Sequence, residues 1–201
     1  MNCKTAVILA AGAGTRMKSE LPKVLHEVCG RPMVSHVISQ AKKAGAETII
    51  AVIGHGAEQV KEGLKEEEIL FALQEKQLGT GHAVMQAADR IPDEGDVFVL
   101  CGDTPLITSE TLAEFAAYHS GSNNAVTVLT AIFDNPFGYG RIIRGEDGNL
   151  QKIVEQKDAD ETEKAVKEVN AGMYCFNGAF LRENLPKLSN QNAQNEYYIT
   201  D

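Results

Sequence analysis

Short apolar runs recur along the first two-thirds of the chain, and segments with helical spacing separate them. TAVIL (Thr5–Leu9) is unbroken by polar residues after Thr5, as in a strand buried on both faces. ETIIAVIG, ILFAL (Ile69–Leu73), DVFVL (Asp96–Leu100) and AVTVLTAIF repeat the signal. Between the first two runs, RPMVSHVISQAKKAG places Met33, Val34, Val37, Ile38 and Ala41 on one helical face, with Pro32 near its start and Gly45 just past its end. Ala57, Val60 and Leu64 mark a second helix, GHAVMQAAD a third, and Leu112, Phe115 and Ala116 a fourth whose candidate caps are Thr108 and Ser109. Strands alternating with helices in this way imply a mostly parallel sheet covered by helices on both faces, an α/β architecture of the Rossmann-like kind. Ligands of such sheets sit beyond the carboxyl ends of the strands. Two loops are expected there: Ala10–Met17, and CGDTPL after the fourth strand.

Beyond residue 133 the pattern changes. YGRIIRGEDGNLQKIVEQ reads as a hairpin turning at Asp147-Gly148, and EVNAGMYCF as a further strand. The acidic stretch KDADETEKAVKE between them reads as a solvated helix or loop. This part is expected to be a small β-rich insertion.

The loop LAAGAGTRMKSELPK (Leu9–Lys23) carries the most specific chemistry. It is not the dinucleotide fingerprint: Met17 stands where a third small residue is needed, and AVIGHG offers no acidic residue at the end of the second strand. Nor is it a P-loop, because Met17 precedes Lys18-Ser19 where glycine is required. What it offers is a run of backbone N–H groups, Gly12 to Thr15, able to cup an anion. Arg16 adds a planar fork of donors suited to phosphate, and Lys23, after Pro22, adds a point charge. Lys18 reads as an ordinary surface charge.

Charge supports a small anionic ligand. The chain of 201 residues has a formal net charge of −9, yet residues 1–31 hold five cations and two acids, a local +3 that leaves −12 for the rest. An acidic molecule with one basic island suits a small, highly charged anion and argues against nucleic acid as partner. The four cysteines, Cys3, Cys29, Cys101 and Cys175, form no C-x-x-C pair, which fits a reducing, cytoplasmic setting. Cys101 reads as a small buried apolar residue. No run approaches the ~20 apolar residues of a membrane span, and none reads as a signal peptide. His26, His36, His55, His82 and His119 show no ligand spacing and adjoin no candidate nucleophile.

LAAGAGTRM followed by LPK resembles the signature of sugar-nucleotide pyrophosphorylases. LQEKQLGTGHAV, CGDTPLI, GYGRI, IVEQKDA, EVNAGMY and NEYYITD narrow the likeness. Taken in order over the whole chain, they resemble the N-terminal half of the bacterial bifunctional N-acetylglucosamine-1-phosphate uridyltransferase / glucosamine-1-phosphate acetyltransferase family. The resemblance implies that residues 1–201 are a nucleotidyltransferase domain incomplete at its C-terminus. It implies uridylyl transfer from UTP to N-acetylglucosamine 1-phosphate, with pyrophosphate released, in cell-wall precursor synthesis.

The implied roles are specific. Arg16 and Lys23 would be catalytic. Leu9, Ala10, Ala11, Gly12, Gly14 and Thr15 would hold the nucleotide, with Gln74, Gln77, Gly79 and Thr80 reading its uracil. Gly140, Glu155, Asn170, Tyr198 and Thr200 would bind the sugar. Asp103 would be a ligand of Mg2+, a second ligand being an asparagine beyond Asp201. Ala13 stands where some relatives carry lysine. The family's C-terminal left-handed β-helix, which transfers acetyl groups and forms its trimer, would also lie beyond Asp201, so a fragment of this length is expected to be monomeric and weak or inactive. The competing readings are a nucleotidyltransferase for another sugar or base and a non-catalytic nucleotide-sugar sensor; retention of Arg16, Lys23 and Asp103 speaks against the sensor.

Overall fold

The computed structural model describes residues 3–201. β1 (Cys3–Ala10) is central in the sheet. It pairs in parallel with β4 (Thr48–Ile53) on one side and β6 (Asp96–Cys101) on the other, and β5 (Leu70–Leu73) continues the parallel half beyond β4. A two-strand hairpin, β2 (Glu27–Val28) and β3 (Arg31–Pro32), lies apart from this sheet. The crossovers are α1 (Met33–Lys43), α2 (Ala57–Gly63) and α3 (Thr80–Met85).

The alternation of side chains along each strand divides the core into two layers. Ala6 and Ile8 of β1, Ile49, Ala51 and Ile53 of β4, and Phe98 and Leu100 of β6 pack with Val34, Val37 and Ile38 of α1 and with α4 (Ser109–Ser122). Val7, Ile50, Val52, Val97 and Val99 point the other way, against Ala83 and Val84 of α3 and Leu181 of α6 (Gly178–Asn184). This is the expected α/β arrangement with helices on both faces. The helix α4 is capped as anticipated by Thr108, whose hydroxyl accepts the N–H of Thr111; Ser109 is its first residue rather than a second cap.

The second half of the sheet is antiparallel. β10 (Glu168–Asn177) lies beside β6 and pairs with it antiparallel. Its other partners, β7 (Val126–Ile132) and β8 (Arg141–Arg144), are also antiparallel to it, and β8 is joined to β9 (Leu150–Val154) by the anticipated hairpin. The fifth apolar run is therefore a strand, as its composition implies, but does not extend the parallel set. Parallel pairing of β7 would have needed a crossover onto a free edge of the parallel half, whereas β6 already has β10 as its neighbour. The acidic stretch forms only one short helix, α5 (Glu161–Lys164), closed by a capping box between Asp160 and Glu163.

Candidate active site

The carboxyl ends of β1, β4, β5 and β6 converge on one edge of the sheet. Ala10 is level with Ile53, and Leu9 with Cys101, and the chain leaves all three strands there. The Gly102 N–H donates to the Leu9 carbonyl at 2.9 Å and the Gln74 N–H to the Ile53 carbonyl at 2.7 Å, so the loops that follow stay tied to the strand tips. A cavity of about 600 Å³ opens between them.

Its first wall is the glycine loop: Leu9, Ala10, Ala11, Gly12, Gly14 and Thr15 all line it. Gly14 sits in the left-handed region (φ 56°), and a Cβ there would lie 2.7 Å from Cβ of Lys23. Only glycine lets the loop turn this close to the lysine. The Gly14 carbonyl accepts the Met17 N–H at 2.8 Å, starting the tight turn Thr15–Met17. The N–H groups of Gly12, Ala13, Gly14 and Thr15 donate to no protein acceptor among the described residues. Four successive free donors beside an open cavity form a concavity for an anion. The side chain of Arg16, expected to be catalytic, lies outside the described residues.

The second wall joins residues far apart in sequence. Lys23 and Asp103 both line the cavity, with the lysine Nζ 2.5 Å from the aspartate Oδ2. Among the described residues nothing bonds the other carboxylate oxygen of Asp103. The described residues include no group of three or more His, Cys, Asp or Glu side chains able to hold a metal ion. One free carboxylate beside an anion cradle still suits a divalent ion of the Mg2+ type, which takes one or two carboxylates and completes its shell with phosphate oxygens and water.

The third wall is the segment after β5. Gln74, Gln77, Gly79 and Thr80 line the cavity together. Gln74 is almost wholly buried, and its amide nitrogen donates to the Gly79 carbonyl. The Gln77 amide donates to the Gln74 carbonyl at 3.1 Å. Gly79 (φ 105°) passes so close to the C-terminal segment that a Cβ would stand 2.5 Å from the Tyr197 carbonyl oxygen. Tyr197 N–H donates to the Leu78 carbonyl, Gly81 N–H to the Tyr197 carbonyl, and Ile199 N–H to Oγ1 of Thr80 at 3.1 Å. Residues 197–199 are thus strapped across the start of α3.

The residues expected to bind sugar gather beside this strap, among β8, β9 and β10. The Asn170 N–H donates to the Gly140 carbonyl at 2.9 Å, and a Cβ on Gly140 would lie 3.1 Å from the Glu155 carboxylate. Thr200 donates its hydroxyl to Glu155 at 3.3 Å, and the Asn170 amide donates to the Tyr174 hydroxyl at 2.6 Å. Tyr198 is buried, with its hydroxyl 3.4 Å from Asp158. Burial pushes the Tyr198 phenol up to about 12 and raises the Glu155 carboxyl above its ordinary value. The five residues do not line the cavity of the glycine loop; Thr200 lines a separate apolar hollow of about 560 Å³ together with Ile153, Phe176 and Leu185.

Five lining residues were not anticipated: Met17, Val24, Ala83, Cys101 and Glu196. Glu196 lines the cavity, whereas within NEYYITD the resemblance implies roles only for Tyr198 and Thr200. Cys101 is not a plain core residue: it lines the cavity, and its thiol donates to the Gly172 carbonyl at 3.2 Å. Burial, and then the neighbouring Asp103 charge, push that thiol up to about 12, which disfavours the thiolate. Its place as the first residue of CGDTPL was the available signal.

Known proteins resemble this chain in both sequence and fold. The family model of the MobA-like NTP transferase domain matches residues 6–166. A bifunctional protein GlmU from Alkaliphilus oremlandii (strain OhILAs) is 60% identical over 196 residues, which is 98% of this chain and 43% of that protein. The GlmU of Clostridioides difficile (strain 630) is 56% identical over 201 residues, 100% of this chain and 43% of its own length. The chain thus spans under half the length of these curated relatives. A crystal structure of UDP-glucose pyrophosphorylase complexed with UDP-glucose superposes with a TM-score of 0.78 at 21% identity, covering 99% of this chain and 84% of that one, a likeness of fold.

Proposed function

The chain belongs to the MobA-like NTP transferase domain family, and on that premise we propose that it transfers the uridylyl group of UTP to N-acetylglucosamine 1-phosphate. The products are UDP-N-acetylglucosamine and pyrophosphate. The observation that supports this reading most is the run of N–H groups from Gly12 to Thr15 that find no acceptor among the described residues, in a loop whose Gly12, Gly14 and Thr15 line the cavity that Lys23 and Asp103 share. Extensive identity to proteins named GlmU supports the choice of uridylyl and amino-sugar substrates.

In this reaction a phosphate oxygen of the sugar phosphate forms a bond to the α-phosphorus of UTP. The bond from that phosphorus to the bridging oxygen breaks, and pyrophosphate leaves with the electron pair. No protein nucleophile takes part, so catalysis is positioning and charge neutralisation. The loop amides hold the triphosphate oxygens. Lys23 turns its ammonium from Asp103 toward the charge that grows around the α-phosphate. Arg16 follows the same loop and adds a fork of donors. Gln74, with Gln77, Gly79 and Thr80, holds the base, and the strap at Tyr197–Ile199 keeps Thr200 and Tyr198 beside Glu155, Asn170 and Gly140 for the sugar. A bound Mg2+, held by Asp103 and by phosphate oxygens, would supply further neutralisation of the triphosphate. Residues 1–201 are assigned this nucleotidyl transfer.

The test is pyrophosphate release from UTP, CTP, GTP and ATP with N-acetylglucosamine 1-phosphate and Mg2+, alongside calorimetric titration with UDP-N-acetylglucosamine. Release with UTP and identification of UDP-N-acetylglucosamine by mass spectrometry support the reading. Release from another nucleotide but not UTP, or failure of both UTP and the sugar nucleotide to bind, sinks it.

A further inference from the structure

Gln74 presents an unusual economy of hydrogen bonds. Its side chain is 3% exposed, yet it lines the nucleotide cavity. The amide nitrogen lies 3.1 Å from the Gly79 carbonyl oxygen and 3.0 Å from Nδ1 of His82. A carboxamide has two N–H hydrogens, and these two neighbours take both. The Gly79 carbonyl can only accept, so the nitrogen rather than the oxygen of the amide must face it; the reversed amide would set two oxygens against each other. His82 Nδ1 must then be the unprotonated ring nitrogen, which puts the proton on Nε2; the Gln86 amide nitrogen, 3.4 Å from Nε2, gives its hydrogen to the His82 carbonyl at 3.0 Å instead. Among the described residues nothing donates to Oε1 of Gln74, and it is not among the buried atoms left without a partner. That oxygen is the one polar atom the side chain can offer to a ligand, and it can only accept.

Such an acceptor discriminates between bases. Uracil carries a ring N–H between its two carbonyls, which this oxygen can receive. At the equivalent place cytosine carries a ring nitrogen with a lone pair, and there two acceptors would meet. An amide free to turn over would lose this preference, because its NH2 end could donate to cytosine. Gly79 resists the turn with one hydrogen bond and His82 with the second. The imidazole is well placed for this, since His82 sits in the first turn of α3, and its own carbonyl accepts the Gln86 amide at 3.0 Å.

We propose that His82 is a positioning residue for base selection, which by holding the second amide hydrogen of Gln74 leaves only Oε1 for the cavity and so selects a nucleotide whose base offers a ring N–H. The inference rests on the functional reading above and goes beyond it, since the histidine touches no ligand.

The experiment compares UTP and CTP binding by calorimetry in the unsubstituted protein, His82→Leu, His82→Asn, Gln74→Leu and the His82→Leu/Gln74→Leu pair. Loss of one buried neutral hydrogen bond should lower the UTP-over-CTP preference about fivefold in His82→Leu. His82→Asn should restore it, because its Oδ1 can stand in for Nδ1 as acceptor. Adding His82→Leu to Gln74→Leu should change nothing further, since the histidine acts only through the glutamine. An unchanged preference in His82→Leu, or an equal effect of that change in the Gln74→Leu background, overturns the proposal. Nitrogen-15 NMR of the unsubstituted, nucleotide-free protein provides a readout independent of any variant's folding: the imidazole should carry its proton on Nε2, and a protonated Nδ1 in the neutral ring overturns the proposal. A protein that binds neither nucleotide overturns the functional reading along with this one; a protein that binds UTP and CTP alike overturns this inference alone.

Discussion

Lys23 Nζ and Asp103 Oδ2 meet at 2.5 Å although 80 residues separate them in the chain. The lysine follows the glycine loop beyond β1, and the aspartate follows β6, the strand paired with β1. Both side chains are about a third exposed. A pair this open contributes little to stability, on the order of 0.2–1 kcal/mol. Its interest is that a cation and a hard carboxylate are stored together at the mouth of an anion cradle, each able to exchange its partner for a ligand.

Replacing Lys23 by Ala should therefore leave the melting temperature close to that of the parent and lower kcat for pyrophosphate release by about 100-fold, the scale expected for one preorganised charge or donor. Asp103→Ala should likewise fold and should lose the dependence of turnover on added divalent ion. Unaltered kcat in either variant removes that residue from the chemistry.

Thr80 links the base segment to the C-terminal strap by accepting the Ile199 N–H. Thr80→Val keeps the shape and deletes the acceptor, at a cost of about 1 kcal/mol. Titration with UDP-N-acetylglucosamine should show affinity falling about fivefold, with Thr80→Ser near the parent. Equal affinities for the Val and Ser variants would show that the hydroxyl does not hold the strap.

The two glycines Gly79 and Gly121 should respond to alanine with opposite signs. At Gly79 the backbone has φ 105° and a Cβ would stand 2.5 Å from the Tyr197 carbonyl oxygen. Strain alone there is of order 1–3 kcal/mol, so Gly79→Ala should melt well below the parent. Gly121 lies within α4 and a Cβ meets nothing within 4 Å. Gly121→Ala should stabilise by about 0.5–1 kcal/mol, because alanine has less chain entropy to lose in a helix. Differential scanning calorimetry reads both, and a Gly79→Ala protein as stable as the parent would contradict the packing of the strap.

Glu155 ties site and stability to pH. Burial is the main cause that raises its carboxyl above the ordinary 4.5, and the Thr200 hydroxyl opposes it more weakly. The folded protein thus holds this proton more tightly than the unfolded chain. Its stabilising contribution is full below 4.5 and is lost as pH rises through the raised folded value. Denaturant unfolding of Glu155→Gln should show a shallower decline of stability between acid and neutral pH than the parent. Parallel curves would mean that Glu155 is no better protonated folded than unfolded.

Local pattern was sufficient for much of this. The apolar run of β1 and the glycines, cations and proline after it lie within 21 residues, Cys3 to Lys23, so their meaning is carried by neighbours in the chain. Gln74, Gln77, Gly79 and Thr80 also share one short segment between a strand and a helix, but the role expected of them rests on the likeness of motifs and not on local pattern. His82, close by, carries no local signal either, because nothing in a sequence tells which end of the Gln74 amide faces which neighbour.

Periodicity, composition and motif order by themselves determined that the chain forms helices around a largely parallel sheet, and that an anion cradle follows its first strand. These are local properties: a strand's apolar run and a loop's free N–H groups need only their own few residues. Tertiary structure decided the rest. It turned β7 and β10 antiparallel, brought Lys23 to Asp103 across 80 residues, and fastened Ile199 to Thr80 across 119. Contacts at such separation depend on which sheet edge is free and which loops can close over the strand tips, and only the packed chain settles that.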